Sequence, residues 1–128
     1  MRRKGAAGLL WSNEKMNPEE QRKTSQAHKT LDAWQASARY WDKYRSLIAQ
    51  MFAPLTAGLI EEARIRTEQT VLDIGGGSGE PSLTISEIVG PTGSVMFTDP
   101  VAGMVETAQA EAGRRASDQH PVQAMFRR

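Results

Sequence analysis

The chain has 128 residues, 39% apolar and 24% charged, with a net charge of +1 and no cysteine. That is enough for one small folded domain, and it excludes a disulfide framework, a thiolate nucleophile and any zinc site with cysteine ligands. No run reaches the roughly 18 apolar residues needed to span a bilayer, and the apolar run Ala6 to Trp11 is too short for a signal-peptide core, so a cytoplasmic protein with no membrane partner is expected. Residues 1–66 carry 12 Lys/Arg against 7 Asp/Glu, and residues 67–128 carry 4 against 8. The basic residues alternate with acids instead of clustering, which argues against a nucleic-acid partner.

Residues 1–15 show no apolar period and read as a mobile tail, with Met16 as an alternative start. Residues 16–66 read as a helical extension. Asn17-Pro18-Glu19-Glu20 is a helix start: a capping side chain, proline in the first turn, then acids at the positive end of the helix dipole. Ala27, Leu31, Trp34, Ala38 and Trp41 then recur at steps of four and three, the spacing of one helical stripe, and Tyr44 and Ile48 roughly continue it. The stripe has two readings, a cap closing over a ligand and plain packing of helices on a sheet. Pro54 is expected to break or kink the pattern near Phe52. A second helix then carries Leu55, Leu59, Ile60 and Ala63 on one side.

From residue 67 the pattern changes. Thr70 to Ile74 is a short β-branched run that ends in glycine, a strand signal. A helix is expected from Pro81, with Leu83, Ile85, Ile88 and Val89 on one face; Gly90 to Gly93 reads as a turn. Ser94 to Thr98 reads as a second strand, Pro100 to Ala112 as a helix with Val101, Met104, Val105 and Ala108 inward, and Val122 to Arg127 as a third strand. The fold class is therefore α/β: N-terminal helices, then a β-α-β-α-β unit over residues 67–128 whose right-handed crossovers give a parallel sheet ordered 3-2-1.

The chemistry concentrates in Val71 to Glu80, "VLDIGGGSGE". Glycine is costly in regular structure and useful where the backbone turns sharply or something must approach it, and a strand-to-helix turn is where open parallel sheets bind ligands. A phosphate loop needs lysine and a hydroxyl residue after its last glycine, whereas Gly79 is followed by Glu80 and Pro81. The dinucleotide fingerprint needs a glycine at its sixth position, where Glu80 stands and places negative charge against a pyrophosphate. S-adenosylmethionine, with a sulfonium and an ammonium beside one carboxylate, suits an acidic strand end and an acidic helix start. Asp99 closes the second strand, where a carboxylate accepts ribose hydroxyls in this topology. The plain alternatives are that Asp73 caps the turn and Asp99 caps the helix after Pro100. His28 and His120 are far apart and read as surface residues.

Together with "GSVMFTDPVAGMVETAQ" (Gly93 to Gln109), this stretch resembles the first two motifs of class I S-adenosylmethionine-dependent methyltransferases. The wider context, Trp41 to Arg128, is similar to the branch that includes the ubiquinone and menaquinone biosynthesis C-methyltransferases. The resemblance implies roles for individual residues. Asp73 would lie near the cofactor ammonium, and Gly75, Gly76, Gly77 and Gly79 would form the floor under its methionine part. Ser78 would offer a hydroxyl or an amide to its carboxylate, Asp99 would hold the ribose, and Pro100 would pack near the adenine, although the family's proline commonly comes a few residues later. The acceptor would be a small molecule, and no metal is implied.

A sheet of this family continues past three strands, so Val71 to Ile74 would have a neighbour on one side only. An open edge of that kind invites self-association. The chain is accordingly read as the N-terminal, cofactor-binding half of a methyltransferase, probing against two alternatives: a non-catalytic short form that serves as an interaction module, and a nicotinamide-dependent oxidoreductase.

Overall fold

The computed structural model describes residues 17–118 and 124–127. The elements run α1 (Pro18–Lys43), α2 (Arg45–Glu62), β1 (Thr70–Ile74), α3 (Ser82–Val89), β2 (Ser94–Thr98), α4 (Ala102–Asp118) and β3 (Ala124–Arg127). The tail expected over residues 1–15 and His120 lie outside the described residues. No helix among the described residues is long and apolar enough to cross a membrane.

Helix α1 starts where the sequence places it. Asn17 Oδ1 accepts from the amides of Glu19 and Glu20 at 3.0 and 2.9 Å, and Glu20 Oε2 accepts from the Asn17 amide at 3.0 Å. This reciprocal capping satisfies amides that a helix start otherwise leaves unpaired.

β1 and β2 pair in parallel, with Val71 opposite Val95 and Asp73 opposite Phe97. β3 pairs in parallel on the far side of β2, so the strand order is β1-β2-β3. Alternate side chains point to opposite faces of a strand, which puts Val71, Asp73, Val95 and Phe97 on one face. That face is covered. Ile85 and Val89 of α3 pack on Val95, with Ile60, Ile65 and Val71 at the margin, and Val105 and Ala108 of α4 pack on Phe97. Fully burying a valine or phenylalanine side chain contributes about 1.5–3 kcal/mol, and Val95 and Phe97 are both wholly buried. The other face carries Leu72 and Ile74, which are 58% and 79% exposed. A third cluster joins α1 to α4 through Ala38, Val101 and Met104, flanked by Leu31 and Trp41.

The expected break in the arm formed by α1 and α2 needs correction. Pro54 lies inside α2 and does not end it; the break comes ten residues earlier at Tyr44, with φ −103° and ψ 17°. Proline removes one amide donor and crowds the preceding turn, yet α2 runs on through Pro54 to Glu62. Of the residues expected on one side of α2, Leu55, Leu59 and Ile60 line a common cleft; Ile60 also packs against the core, while Leu55 and Leu59 are exposed and Ala63 is the C-cap.

Candidate functional site

β1 delivers the chain into the glycine turn at the carboxyl end of the sheet. The amides of Gly75 and Gly76 donate to the Thr98 carbonyl at 2.7 and 3.1 Å, which fastens the turn to the end of β2. Gly75, Gly77 and Gly79 have φ of 77°, 60° and 114°, a region that residues with a Cβ rarely enter. The glycines divide into two groups by what surrounds them. A Cβ on Gly76 would stand 2.3 Å from the Phe97 ring and 2.8 Å from Asp73 Oδ2, and one on Gly79 would stand 2.9 Å from Leu83 and 3.2 Å from Ala108. Those two glycines permit close packing of the turn on β2, α3 and α4. A Cβ on Gly75 or Gly77 would meet nothing within 4 Å, so these two leave space beside the backbone.

That space belongs to a cleft of about 900 Å³ between the turn and the arm. One wall is Gly75, Gly76, Gly77, Ser78, Asp99 and Pro100; the other includes Trp34, Trp41, Ile48 and Phe52. The two indoles lie 6.1 Å apart between ring centroids and are tilted by 44°. Trp34 is 46% exposed. The stripe therefore does two things: Ala38, Leu31 and Trp41 pack on α4, while Trp34 and Trp41 also line the cleft.

Asp99 is 8% exposed and borders the cleft. Its Oδ2 accepts from the Gly77 amide at 3.0 Å, and its Oδ1 accepts from the Val101 amide at 2.8 Å. It thus ties the glycine turn and caps the approach to α4 at once, and a carboxylate with about four acceptor sites still has capacity for a ligand. Asp73 is placed differently. Its Oδ2 accepts from Ser82 Oγ at 2.5 Å, and it does not line the cleft. Gly79 also lies behind the lining. Ser78 does line it, and its amide has no hydrogen-bond partner among the described residues.

Glu80 lines the cleft, but its charge is paired. Arg115 Nη2 donates to Glu80 Oε1, and Thr84 Oγ1 donates to Oε2 at 2.8 Å. The expected repulsion of a pyrophosphate by Glu80 is therefore weakened by a cation 35 positions away. Arg115 also binds Glu111 and Glu87 through Nε and Nη1, at 3.0 and 3.2 Å. Burial lowers the Arg115 pKa, but the charges and hydrogen bonds of Glu80 and Glu111 outweigh it, so Arg115 is held above its ordinary value. Glu111 goes the opposite way. Burial would raise its pKa, but hydrogen bonds from Arg114 and Arg115 and the charges of Arg45 and Arg115 hold it below the ordinary carboxylate value.

A carboxylate whose pKa is lowered by folding stabilises the fold above its unfolded pKa and loses that contribution as pH falls through the folded one. Glu111→Gln should therefore melt below the native chain at neutral pH, and the gap should close on acidification below the ordinary carboxylate range. Thermal melts of both proteins across the acid range check this; a gap independent of pH would remove Glu111 from the account.

Arg45 and Arg115 are the residues that sequence reasoning missed. Arg115 gave no signal in local pattern. Arg45 did: steps of four and three from Trp34 through Ala38 and Trp41 arrive at Arg45 and then Ile48, so a charge stands on the inward stripe. Among the described residues no group of three His, Asp or Glu side chains could hold a metal ion.

Helices on a parallel sheet, a glycine turn after the first strand and a buried acid after the second define the Rossmann-like methyltransferase class. The family model for protein-L-isoaspartate(D-aspartate) O-methyltransferase matches residues 19–126, and the chain belongs to that family. It is 32% identical over 87 residues to the ubiquinone/menaquinone biosynthesis C-methyltransferase UbiE of Pseudomonas savastanoi pv. phaseolicola, an overlap of 67% of this chain and 34% of that protein. The chain thus spans about a third of the length of the curated relatives it matches. A solved protein-L-isoaspartate O-methyltransferase superposes with a TM-score of 0.50 at 26% identity, over 57% of this chain and 22% of that one. A structure from Methanococcus maripaludis, assigned to the S-adenosyl-L-methionine-dependent methyltransferases, superposes with a TM-score of 0.53 over 72% of this chain and 40% of its own. At 19% identity it supports the fold alone.

Proposed function

We propose that this chain is the cofactor-binding half of an S-adenosylmethionine-dependent methyltransferase that acts on a small-molecule acceptor. In this reading β1-α3-β2-α4-β3 is the first half of a Rossmann-like sheet. The observation that carries it is the open space beside Gly75 and Gly77, in a cleft lined by Asp99 and by Ser78, whose amide has no partner among the described residues. The cofactor's amino-acid and ribose ends require donors and acceptors of those kinds, and the residues present fit it. Ser78 would receive the carboxylate, Asp99 the ribose hydroxyls, and Pro100 the edge of the adenine.

When bound, the cofactor supplies an electrophilic methyl group on sulfur. The chain's own work is orientation and exclusion of water. Trp34, Trp41, Ile48 and Phe52 form an apolar wall opposite the turn, which suits a neutral acceptor held against the methyl. Among the lining residues the carboxylates are Glu80 and Asp99, and both are already bonded to protein donors. Positioning is therefore the larger contribution of these residues. The proposal includes a cytoplasmic location, no nucleic-acid or membrane partner, and self-association through β1, whose outer edge has no paired strand among the described residues.

Because Arg115 neutralises Glu80, a nicotinamide dinucleotide is the informative competitor. Calorimetric titration with S-adenosylmethionine and with NAD should give measurable binding of the first and none of the second. Tighter binding of NAD would overturn the methyltransferase reading.

A further inference from the structure

Arg45, the first residue of α2, stands outside the cleft lining, and its side chain is 12% exposed. Its Nη1 donates to the Ser78 carbonyl at 2.8 Å, and its Nη2 donates to the Thr107 carbonyl and to Asp42 Oδ1, both at 3.3 Å. Its Nε lies 3.6 Å from Glu111 Oε2, close enough for an ion pair but without a hydrogen bond. One guanidinium therefore joins the arm, the glycine turn and α4, reaching carbonyls 33 and 62 positions away in the chain.

The contact with Ser78 falls on the peptide unit between Ser78 and Gly79. The Ser78 carbonyl and the Gly79 amide share one plane. Arg45 holds the carbonyl, and the Gly76 carbonyl accepts from the amide at 3.1 Å. With both ends fixed that plane cannot rotate, which anchors Ser78 Cα; the Ser78 amide belongs to the preceding Gly77–Ser78 peptide and has no partner among the described residues. Bonds from a charged donor are the stronger kind, so this is a firm restraint on an otherwise glycine-rich segment.

We propose that Arg45 is a positioning residue for the amino-acid end of the bound cofactor. By fixing the Ser78–Gly79 peptide it anchors Ser78 Cα, and through that atom it steadies the amide of the preceding peptide that would meet the cofactor carboxylate; it also links that arrangement to the arm that covers the cleft. The proposal rests on the S-adenosylmethionine reading and adds to it a residue that touches neither cofactor nor acceptor.

The test compares Arg45→Met and Arg45→Lys with the native chain, at a temperature where circular dichroism shows all three folded. Two ligands share the adenosine and thioether and differ in the amino-acid part: S-adenosylhomocysteine has it, and 5′-methylthioadenosine lacks it. Arg45→Met should weaken the first by roughly tenfold or more, the scale of a lost charge-assisted hydrogen bond, and leave the second within about twofold. Lysine reaches one carbonyl and should restore part of the loss. Amide hydrogen exchange gives a readout that needs no ligand: the Gly79 amide should exchange faster in Arg45→Met, while Ile85 and Val95 keep their protection. Equal loss of both ligands, loss of neither, or an unchanged Gly79 amide would each overturn the proposal. If the native chain binds neither ligand, the cofactor reading fails and the positioning role fails with it, while Gly79 exchange still reports whether Arg45 restrains the turn.

Discussion

Gly77→Val should abolish cofactor binding while leaving the chain folded. At φ 60° a β-branched residue is strained, which costs on the order of 1–3 kcal/mol. A Cβ there meets nothing within 4 Å, and Gly77 lines the cleft, so the added side chain takes up the space beside the turn rather than core. Gly79→Val is the contrasting variant. There a Cβ would already crowd Leu83 and Ala108, and the expected result is loss of the fold itself. Titration of the Gly77 variant with S-adenosylmethionine, alongside thermal melts of both variants, separates the two roles. Native affinity in a folded Gly77→Val chain would mean that the glycine serves the turn alone.

Asp99→Ala should lower both stability and affinity. The carboxylate accepts from Gly77 and Val101, and hydrogen bonds to charged groups contribute roughly 1.5–3 kcal/mol each. The two share one side chain, so their losses do not simply add. Removing it also frees the Gly77 amide and takes away the acceptor for the ribose. Affinity corrected to fully folded protein is the decisive measurement. A fall of tenfold or more assigns Asp99 to the ligand as well as to the fold; an unchanged value would confine it to capping and turn geometry.

Both variants address residues that the sequence already singled out, and the reason is local. β1 and β2 are bounded by glycine and by Asp99, and their β-branched runs are short enough to fix the ends, so Thr70–Ile74 and Ser94–Thr98 are legible directly. The Asn17 cap involves residues at most three apart. Features that depend on distant partners were not legible. The charge of Glu80 was visible, but the cation that pairs with it belongs to α4. Asp73 has the same chemistry in either orientation, and only the packing of α3 brings Ser82 to it. Pro54 shows the limit of a local rule: a proline removes one amide donor, but α2 continues through it to Glu62.

The bare side of the sheet changes how this protein would look in the tube. Leu72 and Ile74 on that face of β1 are at least half exposed, and α2 adds a second apolar surface, with Leu47, Met51 and the cleft-lining Leu55 and Leu59 also at least half exposed. Dyes that fluoresce on apolar surface are commonly read as reporting loosened packing. Here they would bind a chain whose buried side, around Val95 and Phe97, is closed. Fluorescence without loss of near-ultraviolet dichroism would then mark an apolar surface in the native state, and a routine screen for misfolding would reject well-folded material.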